Sequence, residues 1–285
     1  MIRHKNYFAA ISDEGAELKS FRDETRGEEF IWQGDPAIWQ GSAPILFPIV
    51  GRLKGGYFLH GGRKYRLEKH GFARRSLFAL RRDREEEKSF LLRSSRETLS
   101  LFPFDFEFEA GFRIEEGLLR IFYTVRNTGR EVMYFTLGSH PAFALPLDEC
   151  RLEDYYVEFE KEEKLDRCFL EGDLLCTRPE PFFLDGKNRI PLTDDLFDRD
   201  ALIFRNIRSR KITLGNRKSG RRLLLETGGA PHLGIWAKPA ASYVCLEPWF
   251  GHDDSADSGY AITGKSGIMP LDPGAEFETG YGIRV

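Results

Sequence analysis

Phe104-Asp105-Phe106-Glu107-Phe108-Glu109-Ala110 alternates without a fault, with three phenylalanines on one side of an extended chain and three carboxylates on the other. Such a period of two suits a strand with one face against an apolar layer, and no helix can use it. Residues 119–126 repeat the period and end at the turn Asn127-Thr128-Gly129. Further β-rich runs cover 155–160, 201–204, 222–226, 233–237 and 243–246, and 28 glycines and 14 prolines punctuate the chain between such runs. Short antiparallel strands with tight turns need that punctuation. Helical patterning of period 3.6 never outlasts about three turns. Residues 193–197 predict a short capped turn, and 162–175 fit neither period. The mixed charges of 81–88 predict a solvated hairpin tip. Many half-buried strands require a facing layer, so the expected class is all-β, a large sandwich of packed sheets. With no linker, repeat or low-complexity stretch, residues 1–285 are expected to form one domain, since sandwiches reach ~250 residues as single units.

Composition then removes whole classes of function. A net charge of −3 and a pI near 6.1 give no basic surface for nucleic acid or anionic lipid. The longest near-apolar run, 43–50, contains two prolines and falls far short of the ~20 residues of a membrane helix. No apolar core or cleavage site follows the basic N-terminus. Four cysteines without C-x-x-C spacing predict reduced thiols rather than a disulfide framework. The expectation is a soluble, cytoplasmic chain.

The sequence carries no G-x-G-x-x-G, G-x-S-x-G or H-E-x-x-H, and no P-loop is expected. Its six histidines are dispersed, without the i, i+4 or i+3 pair of a helical metal site. Neither cofactor nor metal is therefore expected. Asp253-Asp254-Ser255-Ala256-Asp257-Ser258-Gly259 resembles a calcium loop only loosely, because its glycine comes one place late and no glutamate closes it. His252 beside it is expected in an exposed loop. Three settings remain: His70 at a small-residue kink, His140 between Gly-Ser and Pro, and Glu247 at the end of an apolar strand beside Trp249. A carboxylate in such a strand has its pKa raised by desolvation or needs a partner.

These segments, with others in order along nearly the whole chain, resemble the aldose 1-epimerase (mutarotase) family, in its branch associated with lactose operons. The blocks include 43–53 (Ala-Pro-Ile-Leu-Phe-Pro-Ile-Val-Gly-Arg-Leu), His70-Gly71-Phe72-Ala73-Arg74, Gly138-Ser139-His140-Pro141-Ala142-Phe143 and Cys245-Leu246-Glu247-Pro248-Trp249. The resemblance implies a sandwich of the galactose mutarotase type with a sugar cleft across one concave sheet. It implies that Glu247 is the base and His140 the acid of anomer interconversion, and that His70 and Arg52 bind the sugar and polarise its ring oxygen. Asp200 is the candidate for a substrate-binding aspartate, and Trp236 offers a face on which a sugar can stack. The implied partner is an aldohexose, with no nucleic acid and no membrane; the oligomeric state stays open.

The chemistry agrees with those roles. Anomers interconvert by ring opening, which takes a proton from the C1 hydroxyl and gives one to the ring oxygen O5. Groups titrating near neutrality serve both steps, and a carboxylate beside His140 would favour its imidazolium. Three alternatives stand beside this expectation. A hexose-6-phosphate epimerase is one, for which Arg74 and Arg75 are available although residues 40–44 lack the arginine of that branch. A sugar-binding module without turnover is another. Glycoside hydrolysis ranks last, because only Glu247 has a credible setting for a paired-carboxylate mechanism.

Overall fold

The structure, a computed structural model, describes residues 1–146, 150–239 and 241–285. Two large antiparallel sheets dominate it. The first, of nine strands, runs in the order 189–191, 155–159, 211–216, 222–226, 276–284, 118–127, 106–115, 87–93 and 79–83. The second, of eight, runs 180–182, 165–168, 202–205, 232–236, 243–250, 137–139 and 45–46, with 142–144 joined to the side of 243–250. This is the large β-sandwich expected from the alternation.

The alternating segments lie in the first sheet. Strand Phe106–Glu115 pairs with Leu118–Asn127, and Phe104, Phe106 and Phe108 are buried while Asp105 is exposed. Those rings meet the second sheet: Phe108 lies 4.7 Å from Phe47, which follows the strand Ile45–Leu46. Phe159 and Phe204 meet at 6.3 Å, and Tyr123 Oη lies 3.0 Å from Ser139 Oγ. A continuous apolar cluster reaches from Ile2 to Ile283 through this interior. The 81–88 charge run forms the hairpin of Ala79–Asp83 and Glu87–Arg93, as expected. Its Glu87 is buried, however, and binds Arg82 and Arg113. Residues 193–197 form turns, and 162–175 resolve into short strands. Among the described residues the α-helical content is Arg96–Leu101, capped by the Ser95 hydroxyl accepting from the Thr98 amide.

The second sheet carries the site. In strand Leu202–Arg205, Phe204 points into the sandwich, so Ile203 lies on the opposite face. That outer face has its own apolar cluster, in which Leu46, Val50, Ile203 and Trp249 pack against Cys168, Leu175 and Cys176 from the 165–176 segment. Strand Tyr243–Phe250 is therefore covered on both sides, with every residue but Phe250 buried.

Candidate active site

Glu247 projects from the middle of Tyr243–Phe250, directly opposite Gly234 on the neighbouring strand. A methyl group at Gly234 would stand 2.8 Å from the Trp249 ring and 3.3 Å from Glu247 Cβ. Glycine at this position thus gives the indole and the carboxylate their room. Gly138 does the same from the other side, where an added Cβ would lie 2.8 Å from Trp249. Two residues later His140 leaves the sheet, its amide donating to Pro44 O at 3.1 Å, and Pro141 ends the strand. This brings His140 Nε2 to 3.2 Å from Glu247 Oε2.

His70 comes from a different segment and is held in the left-handed region, with φ 68°, followed by Gly71 at 69°. A side chain on Gly71 would collide with Phe47 O at 2.3 Å, so glycine is required there. The strained His70 backbone donates to Gly51 O at 2.8 Å, and its Nδ1 accepts from the Gly51 amide at 3.0 Å. That acceptor role leaves the ring proton on Nε2, free to donate. The two imidazoles meet edge to face, 5.9 Å between centroids.

A cavity of about 180 Å³ opens on this group, lined by His70, Asp200, Trp236, His140 and Glu247 among others. Five of the six residues singled out in the sequence thus share one wall system. The sixth, Arg52, does not line it. Its guanidinium points to Asp173 at 3.2 Å in an exposed pair and faces a neighbouring cavity. Asp200 reaches the wall from a left-handed turn, φ 62°. Trp236 is half-buried with its edge toward His140, at 5.8 Å.

Four more residues belong to the wall: Trp39 and Lys69 carried no role in the sequence, whereas Arg74 was offered only for a phosphorylated sugar and Asp253 only as part of a loose calcium-like loop. Trp39 stacks on His140 at 5.1 Å from a loop with no periodic pattern. Lys69 precedes His70 and has no carboxylate within ion-pair distance among the described residues, while Arg74 lines the same wall. Asp253 is buried and accepts from the Arg52 amide at 2.7 Å. Neighbouring Asp254 accepts from the Lys54 amide and from Lys265 Nζ, each at 2.9 Å. Asp257, the third carboxylate of the supposed calcium loop, accepts from Ser255 Oγ, so all three are engaged by the chain itself.

Two further expectations need correction. His252 is buried rather than exposed, bonded to Asp253 O at 2.8 Å and to Ser266 Oγ at 3.2 Å. Against the expected absence of a P-loop, residues 259–266 do spell Gly-x4-Gly-Lys-Ser. A P-loop joins a strand to a helix. Here the segment is a 3-10 turn, Ile262–Gly264, leading to strand Met269–Leu271, and Lys265 is buried on Asp254 and His252 O.

The electrostatics of the pair follow from burial. Glu247 is 1% exposed, and desolvation, then the charges of Asp253 and Asp200, push its carboxyl well above the ordinary value against the opposing Lys69 ammonium. Burial lowers His140 to about 3 and holds His70 far below the ordinary histidine range. Desolvation therefore opposes the expected stabilisation of imidazolium by Glu247 and favours the neutral form of each group. Among the described residues, Glu247 Oε2 and His140 Nδ1 have no hydrogen-bond partner. A carboxyl and an imidazole at 3.2 Å, with acceptor capacity unspent and indoles around them, form an acid–base device open to a polar, flat-faced guest.

Known proteins resemble the chain in sequence and in fold. The description Aldose 1-epimerase belongs to a family model that matches residues 1–263. The plasmid-encoded Protein LacX of Lactococcus lactis subsp. lactis is 32% identical over 286 residues, 95% of each chain. A galactose mutarotase related enzyme from Lactobacillus acidophilus superposes with a TM-score of 0.93 at 36% identity, covering 99% of this chain and 95% of its own. A galactose mutarotase-like protein from Lactobacillus casei gives 0.93 at 29% identity, over 99% and 98%. With the family model matching residues 1–263 and a relative 32% identical over 95% of the chain, the chain belongs to the aldose 1-epimerase family.

Proposed function

We propose that the chain catalyses interconversion of the α and β anomers of a free aldohexose. The observation that carries this reading is the His140–Glu247 contact of 3.2 Å on the wall of an aromatic-lined cavity. In this mechanism the sugar donates its C1 hydroxyl to Glu247 and accepts at O5 from His140. Those two hydrogen bonds draw out the charge-separated form of the pair, which burial disfavours in the empty site. Glu247 then takes the C1 proton, the C1–O5 bond breaks, and His140 protonates O5, leaving an open aldehyde. Rotation about C1–C2 and the reverse transfers close the other anomer. His70, with its proton on Nε2, and Asp200 hold ring hydroxyls, while Trp236 and Trp39 supply flat apolar faces. None of these steps requires a cofactor. Polarimetry or saturation-transfer NMR with free glucose and galactose checks the reading. Folded protein that leaves a broad aldose panel at buffer rates would refute it.

A second reading is favoured by one specific feature, the cationic wall. Lys69 and Arg74 line the cavity, and Lys69 has no carboxylate partner there among the described residues. A phosphate on the sugar needs such clustered donors. If the substrate is a hexose 6-phosphate, Lys69→Ala should raise its KM at least ~10-fold, the scale of one lost charge-assisted contact. Rates with free hexose should then stay within about twofold. Acceleration confined to the phosphorylated sugar would put this reading in place of the first, whereas equal KM values in Lys69→Ala and wild type would remove it.

A further inference from the structure

We propose that His140, Cys245 and Glu247 form a capture site for a borderline-soft divalent cation such as Zn²⁺, whose binding blocks the cavity. One ligand atom of each residue lies within 4.8 Å of the other two. Cys245 and Glu247 are two apart on strand Tyr243–Phe250 and so emerge on one face. His140 is fixed nearby because Ala142, two residues on, pairs with Cys245. Glu247 Oε2 is buried without a hydrogen-bond partner among the described residues, and Cys245 is 0% exposed. Nothing in the acid–base chemistry above uses that thiol.

The donor set is one that zinc selects: imidazole nitrogen, thiolate sulfur and carboxylate oxygen, with a fourth position left open. Zinc–ligand bonds of ~2.0–2.3 Å place tetrahedral donors roughly 3.3–3.8 Å apart. The His140–Glu247 contact of 3.2 Å is already near that span, so a small movement of the Cys245 side chain completes the triangle. Charge favours the complex too. On binding, the Cys245 thiol and the Glu247 carboxyl each release a proton to solvent, and the dication with one thiolate and one carboxylate then sums to zero, so the buried assembly avoids the penalty of an isolated charge. Because two of the ligands are the proposed proton-transfer pair, bound metal and turnover exclude each other. The cation is an inhibitor, not a cofactor.

The inhibition rests on the reading under Proposed function, but the binding does not, and the test separates them. Chelator-treated protein is titrated with Co²⁺ as a spectroscopic probe. The expected result is a 1:1 complex with tetrahedral visible bands and a near-ultraviolet thiolate-to-cobalt band, both removed by added Zn²⁺. Cys245→Ala should lose the thiolate band, retain basal anomerisation, and need at least tenfold more Zn²⁺ for half-inhibition. Cys245→Ser, closer in volume, replaces it if the alanine variant is unstable. Absence of the thiolate band in wild type, or equal Zn²⁺ sensitivity in wild type and both variants, overturns the proposal. Protein that binds Co²⁺ through Cys245 yet turns over no aldose would leave the metal site standing and remove the enzymatic reading instead.

Discussion

Glu247→Gln should lower kcat for anomerisation at least ~10²-fold with the fold intact, because it keeps the shape of the side chain and removes its basicity. The fold should survive, since burial favours the neutral form of the carboxyl and the amide that replaces it is neutral and of similar shape. His140→Asn should cost a similar factor, as ring opening and closure use the same two groups in reversed roles. The pair acts as a unit across 3.2 Å, so the double variant should be little worse than either single one. The pH profile of kcat/KM should be bell-shaped, with limbs that belong to the coupled pair and not to either residue alone. Steady-state polarimetry of the three variants decides this. Near-normal kcat in Glu247→Gln would move the base elsewhere, with Asp200, on the same wall, the next to test.

What was legible beforehand depended on how many faces of a strand are covered. Phe106–Glu115 bury one face and solvate the other, so their alternation announces the strand. Tyr243–Phe250 are covered on both faces, and there the alternation vanishes. The sequence predicted that strand only to Leu246, and proline is uncommon inside a central strand. Yet Pro248 sits within the ladder opposite Leu233. The chemistry-bearing residues were found through short blocks whose constraints are local, such as the kink at His70-Gly71, where φ is positive at both positions. Residues whose role depends on distant packing were not. Trp39 reaches His140 from an unpatterned loop, and His252 is buried because Ser266 and His232 close over it. Arg52 illustrates the opposite limit: its block places the backbone beside Asp253, while the long side chain finds Asp173 instead of the cavity.

Stability should fall steeply as pH drops from about 7 toward 4, and four buried histidines are the reason. Burial lowers His232 and His252 to about 4 and His140 to about 3, and it holds His70 well below the ordinary value. Each is neutral in the folded chain and takes a proton near pH 6.5 when unfolded. The unfolded state therefore binds more protons throughout this window, so the contribution is fully present above pH 6.5 and is lost on acidification. Glu247 and Asp253 act in the opposite sense, because their raised values let the folded state take up protons first. The four histidines outnumber the two carboxylates, so unfolding takes up protons on balance and stability declines as the pH falls below about 6.5. Urea unfolding at half-unit pH steps measures that slope, and a flat response over this range would contradict it. His232→Gln, which keeps an acceptor for the Asn206 amide that now bonds Nδ1 at 3.3 Å, should reduce the slope by ~1.4 kcal/mol per pH unit. His232 lies outside the cavity that holds Glu247, so anomerisation at pH 7 should be unchanged while acid resistance improves.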